Sequence, residues 1–192
     1  VGRIAIIQGH PDPRGERFGH ALADAYTKGA EAAGHEVKSI TVAGLEFSML
    51  RSKEEWESGT PPEAIRQAQT TIAWAEHLVI FYPLWLGSMP ALLKAFLEQT
   101  FRPGFAIPKP GGKMWKKLLS GKSARIVVTM GMPAFLYRWY FGAHSLKSLE
   151  RNILGFCGIA PMRESLIGMV EGSGSKREEW LAEMRDLGFR GR

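Results

Sequence analysis

Cysteine is nearly missing from this chain. Cys157 stands alone in the apolar stretch ILGFCGIAP, so no internal disulfide framework is possible, and a reducing compartment and a buried structural thiol are expected. Long hydrophobic runs are missing too: nothing approaches the ~18 apolar residues that cross a bilayer, so no membrane insertion is expected. The opening VGRIAIIQGHPDP has too short an apolar part for a secretory signal, and the expected location is the cytoplasm. Basic clusters are absent as well. The formal net charge is +6, but Lys and Arg are scattered, which disfavours nucleic acid and suits a small anionic partner such as a phosphorylated cofactor.

What is present is an ordinary globular composition, 45% hydrophobic and 23% charged over 192 residues, enough for one domain spanning 1–192. Short apolar runs alternate with segments of helical spacing. RIAIIQG, EVKSITV, HLVIFY, SARIVVTMG and MRESLIGMV read as five strands, the third so continuously apolar that it belongs in the middle of a parallel sheet. Between them, Phe18, Leu22, Ala25, Tyr26 and Gly29 recur on one helical face, with Gly34 as the C-terminal stop. Further helices are expected from PPEAIRQAQTTIAWA, with proline in the first turn, from the segment after Pro90, and from HSLKSLERNILGFCG. A last helix, SKREEWLAEMRDLG, is expected to open on a Ser cap with acidic residues in its first turn. Residues 43–60 read as a polar connection, and RPGFAIPKPGGKMWKKLLSGK as an exposed excursion.

Five strands alternating with five helices predict an α/β fold: a doubly wound five-stranded parallel sheet in the order 2-1-3-4-5, helices on both faces. Ligands of such sheets bind beyond the strands' carboxyl ends, where the chain reverses between strands 1 and 3. A phosphorelay receiver shares this strand order but needs clustered acids after strand 1 and an aspartate closing strand 3. Here strand 3 closes on Tyr82-Pro83 and Asp12 stands alone, which excludes that class.

Three loops would meet at the crevice. GHPDPRGERF carries His10, Arg14 and Arg17 into a helix N-terminus, a place that favours anions; alternatively it is a solvated turn. PLWLGSMP, after strand 3, is apolar where loops are normally polar. Trp85 and Leu86 would cover a flat ring such as an isoalloxazine, the amides of residues 84–87 would meet its polar edge, and Gly87 would permit close approach; an oligomer contact is the other reading. The third loop, TMGMPAFLYRWYFGAHS, sets Thr129, Met130 and Gly131 at a strand end before a run of aromatics, which serves either a ring's pyrimidine side or an aromatic cap at a dimer interface.

Together, GHPDP…RF, FYPLWLGSMPALLKAFLEQTFRPGFAI, VTMG and ILGFCG resemble the flavodoxin-like NAD(P)H:quinone oxidoreductases. This is the DT-diaphorase group, which includes the modulator-of-drug-activity reductases and the ancillary reductases of potassium efflux systems. The resemblance implies a bound flavin, FAD or FMN, with Pro83, Leu84, Trp85, Leu86 and Gly87 along the ring. It places His10, Arg17, Phe18 and Gly19 near the phosphate and ribose, and Thr129, Met130 and Gly131 at the other ring edge. Tyr137 and His144 fall nearest the pair that assists hydride transfer in that group. Hydride would pass from NAD(P)H through the flavin to a quinone or similar acceptor in a ping-pong cycle, in a homodimer whose sites lie at the subunit junction. The family often has Ser or Thr before the first-loop Phe; Glu16 and Arg17 stand there, so phosphate contacts would come from backbone and arginine. The alternative is a flavin-binding regulatory subunit of a transporter with little turnover.

Overall fold

The computed structural model describes residues 2–111 and 116–192. Strands β1 (Arg3–Gln8), β2 (Glu36–Thr41), β3 (His77–Pro83), β4 (Ser123–Thr129) and β5 (Met162–Ile167) form one sheet in the order β2-β1-β3-β4-β5, every pair parallel. The expected topology and strand order are therefore observed. The apolar run of β3 has its physical reason here: it pairs on both sides and lies between two helical layers, so neither face can be polar.

Alternation along the strands divides the core. Ile4, Ile6, Val79, Phe81 and Val127 point to one face, where Leu22, Ala25 and Tyr26 of α1 (Phe18–Ala32) and Met184 of α8 (Gly174–Phe189) cover them. Ala5, Ile7, Leu78, Ile80, Ile126 and Val128 point to the other, under α3 (Glu63–Trp74), α4 (Ala91–Thr100) and the helical run that begins at α6 (His144–Ser148). That run continues through a π-helical turn, Leu149–Leu154, into α7 (Gly155–Cys157). Fully buried Leu93 and Phe96 anchor α4, each contributing about 1.5–3 kcal/mol of apolar burial. Cys157 is buried as expected, and burial pushes its thiol up to about 11.

Helices α1 and α8 both follow strands of the parallel sheet and lie side by side. Gly29 of α1 meets the backbone of Arg185, and Gly188 of α8 meets that of Tyr26. Their N-terminal ends, at Phe18 and Arg177, are consequently neighbours.

Four local expectations are corrected. The terminal helix begins at Gly174, not Ser175; Ser173 precedes it without a side-chain cap, and its first turn holds no acid. Pro62 lies just before α3 rather than in its first turn. The 43–60 connection contains α2 (Lys53–Ser58), opened by Ser52, whose Oγ accepts the Glu55 N–H at 3.0 Å. The segment after α4 is no exposed excursion: Arg102, Ala106, Ile107 and Leu119 are buried, while residues 112–115 of that stretch lie outside the described residues.

Candidate cofactor site

A cavity of about 310 Å3 opens at the carboxyl ends of β1, β3 and β4. It is lined by His10, Arg17, Phe18 and Gly19 from the first loop, Pro83, Leu84 and Trp85 from the second, and Thr129, Met130 and Gly131 from the third. Ten residues singled out in the sequence are thus brought to one crevice.

The polar end is built around α1. This helix starts without a side-chain cap and without an acidic residue in its first turn, leaving its positive end open. His10 stands beside it. Its backbone N–H donates to Gln8 Oε1 at 3.1 Å, and its Nδ1 accepts the Asp12 N–H at 3.0 Å, so the ring's own proton resides on Nε2. Burial, and then the neighbouring His20, hold the His10 pKa below the usual imidazole range, which keeps a neutral Nε2–H donor. The His10 ring lies nearly perpendicular to that of Trp85, with centroids 5.9 Å apart, and tilted against that of His20 at 5.2 Å. Both ring nitrogens of buried His20 lack a hydrogen-bond partner among the described residues.

Asp12 is not the solitary acid it resembles in sequence. It binds Arg14 at 2.7 Å and Arg17 at 2.8 Å, and those hydrogen bonds, with Arg14's first, hold its carboxyl far below the usual range. Arg17 is therefore oriented by Asp12 while it lines the crevice.

At the apolar end, Trp85 and Ser88 exchange backbone hydrogen bonds, Trp85 N–H to Ser88 O at 2.8 Å and Ser88 N–H to Trp85 O at 2.9 Å. Leu86 at φ 48° and Gly87 at φ 76° form the two left-handed corners of this hairpin. The expectation that amides 84–87 all face a ligand is corrected: Leu84 N–H donates to Thr129 O and Trp85 N–H to Ser88 O. The N–H groups of Leu86 and Gly87 have no partner among the described residues, and neither has that of Gly131. Leu86 and Gly87 do not line the crevice; the fully exposed Leu86 borders a separate groove with Met89, Ser145 and Ile153.

Two further expectations are corrected. Tyr137 does not reach the crevice: it is buried in α5 (Ala134–Trp139), its hydroxyl 2.6 Å from Ser145 Oγ and accepting the Leu146 N–H at 3.2 Å. A core hydroxyl already bonded twice is not placed for hydride transfer. His144 is exposed, against Gly142, and does not line the crevice either. Tyr137→Phe is expected to cost about 1–2 kcal/mol, read as a lower urea midpoint, because it orphans a buried N–H. Reduction by NAD(P)H should be unchanged in that variant; a slower reduction at unaltered stability would restore a catalytic role.

The sequence reading missed Glu16, Val170, Glu171 and Arg177, which also line the cavity. Arg177 lies over the Phe18 ring, 4.9 Å from its centroid. For Val170 and Glu171 the signal was there in Gly168-Met-Val-Glu-Gly-Ser-Gly-Ser175, a Gly/Ser-rich stretch at the carboxyl end of β5, subject to the same rule as the other three loops.

A parallel sheet in this order, with a crevice at its strand-order reversal, defines a flavodoxin-like protein. The chain belongs to the Flavodoxin_2 family, described by its flavodoxin-like fold, whose model matches residues 2–187. An uncharacterized NAD(P)H oxidoreductase of Haemophilus influenzae is 27% identical over 183 residues, covering 93% of this chain and 90% of that protein. Among solved structures, the NAD(P)H:quinone oxidoreductase from Methanothermobacter marburgensis is alike in fold, with a TM-score of 0.82, 23% identity and 100% of both chains covered. An FMN-dependent NADH-azoreductase from Bacillus anthracis in complex with FMN has a TM-score of 0.75 at 13% identity, covering 99% of each chain.

Proposed function

We propose that this protein is a flavin-dependent NAD(P)H oxidoreductase that passes electrons to quinones or similar acceptors with ping-pong kinetics. The observation that carries the reading is one crevice with the uncapped N-terminus of α1, His10 and two arginines at one end and an apolar, aromatic wall at the other. The names of the similar proteins support it: an NAD(P)H oxidoreductase, a quinone oxidoreductase and an azoreductase in complex with FMN.

The residues present fit a flavin. The open N-terminus of α1, His10 Nε2–H, Arg17 and Arg177 would hold its phosphate-bearing tail, and Leu84, Trp85 and Met130 its ring. Gly131 lines the crevice with its amide unpartnered, and the free amides of Leu86 and Gly87, in the hairpin that carries the lining residue Trp85, would reach from the rim to a ring edge that gains negative charge on reduction. A bound flavin supplies two-electron transfer between a nicotinamide and an acceptor; orientation, exclusion of water and donor placement are the protein's part.

A homodimer is part of the proposal. The groove at Leu86 and Met89 shares Lys94 and Ile153 with a second one lined by Leu97, Phe101 and Phe156, making a continuous apolar strip along α4. Phe135, Trp139 and Tyr140 are also exposed, which supports coverage by a second copy.

The purified protein is expected to show oxidised-flavin absorption bands that bleach when NAD(P)H is added without air. A protein that takes up neither FMN nor FAD overturns the proposal, and one that binds flavin without bleaching favours the regulatory-subunit reading.

A further inference from the structure

A larger cavity, of about 720 Å3, lies between α2 and the segment that follows α4, and none of the crevice residues lines it. Its wall contains Arg102, only 3% exposed. A charge so deeply buried is costly unless paired. Yet no carboxylate lies within ion-pairing distance of Arg102 among the described residues. The nearby Glu55 carboxylate is bound to the Arg51 N–H at 3.0 Å, and Glu57, which lines the cavity, pairs with Lys53 at 3.5 Å.

Carbonyl groups of α2 hold the guanidinium in place. Nε donates to Trp56 O at 3.2 Å and Nη2 to Glu55 O. Nη1 carries two more N–H donors, and no described residue accepts them. Gly59 leaves room for the guanidinium against the helix end, since a Cβ there would come 2.5 Å from Glu55 O and 3.0 Å from Arg102 Nη2. A second cation, the exposed Lys109, borders the same cavity and makes no ion pair among the described residues. Trp56 and Phe105 supply apolar wall.

We propose that this cavity binds a small molecule bearing a carboxylate or phosphate on an apolar body, its anionic end on Arg102 Nη1 and Lys109 and its body against Trp56 and Phe105. A guanidinium fixed by two carbonyls offers donors in a preset plane, which suits an oxyanion. Within one chain the site shares no lining residue with the flavin crevice.

Benzoate and inorganic phosphate serve as probes, titrated into the flavin-loaded protein and followed by the Trp56 indole and Arg102 Nε–H resonances, with the flavin spectrum read in parallel. Saturable shifts of both resonances are expected, stronger for benzoate, with the flavin bands unmoved and sodium chloride at matched ionic strength inert. Lys109→Met and Arg102→Lys should each weaken benzoate about tenfold, the loss of one charge-assisted hydrogen bond. If Arg102→Lys does not fold, the surface variant Lys109→Met decides. The proposal is overturned if neither probe gives a saturable shift, if Lys109→Met binds as the wild type does, or if the flavin bands move in step with the Trp56 signal.

Discussion

Gly87→Pro is expected to strip the protein of its flavin while leaving it folded. Proline locks φ near −65°, and the hairpin needs +76° at this position. It also drives the preceding residue toward extended backbone, whereas Leu86 sits at +48°. Both corners of the Trp85–Ser88 hairpin are therefore lost, together with one of the two amides it leaves without a partner. The lesion stays at the surface, because Leu86 is fully exposed and a Cβ at Gly87 would meet nothing. One lost hydrogen bond plus a displaced Trp85 should weaken flavin binding about a hundredfold. Isothermal titration with FMN and FAD, alongside a circular dichroism spectrum, checks this. Wild-type affinity in a folded variant would take the hairpin out of the cofactor site.

Gly29→Ala is expected to act on the fold itself. The added methyl runs into the carbonyl of Arg185, and backbone cannot swing aside as a flexible side chain does. Relief requires α1 and α8 to separate, exposing part of the core formed by Leu22, Tyr26 and Met184. A loss of at least about 3 kcal/mol follows, a fall in Tm of roughly 6–12 °C for a chain of this size. Gly188→Ala should match it, since its methyl meets the carbonyl of Tyr26 in the same contact. The double variant should cost less than the sum of the two, because one separation relieves both clashes. Thermal melts of the three variants decide; additive losses would mean that the two glycines act in separate contacts.

The crevice was legible to the extent that its parts carry local chemistry. His10, Trp85 and Thr129–Gly131 lie at or just after strand ends and Phe18 opens the helix after β1, and the alternation of strands and helices was enough to bring them together. Arg177 was not legible, because its place over Phe18 depends on α1 and α8, from opposite ends of the chain, running side by side. The aromatic run after β4 misled for a different reason. Phe135, Trp139 and Tyr140 are exposed at 66%, 81% and 78%, while Tyr137 among them is buried. Within a six-residue helix the phase that selects one ring for the core is set by packing against the Ser145–Leu146 turn, not by any period in the sequence. Arg102 was passed over as one more scattered charge, since nothing local marks a cation that the carbonyls of a distant short helix will bury.

Periodicity and hydrophobicity, read residue by residue, were enough for the sheet and its order, the two apolar faces of each central strand and the polar-to-apolar character of the loops. Which hydroxyl, amide and guanidinium groups remain free to meet a ligand was settled by the folded arrangement. A donor is free only when no distant partner has taken it, and such partners are chosen by how helices and loops close over one another.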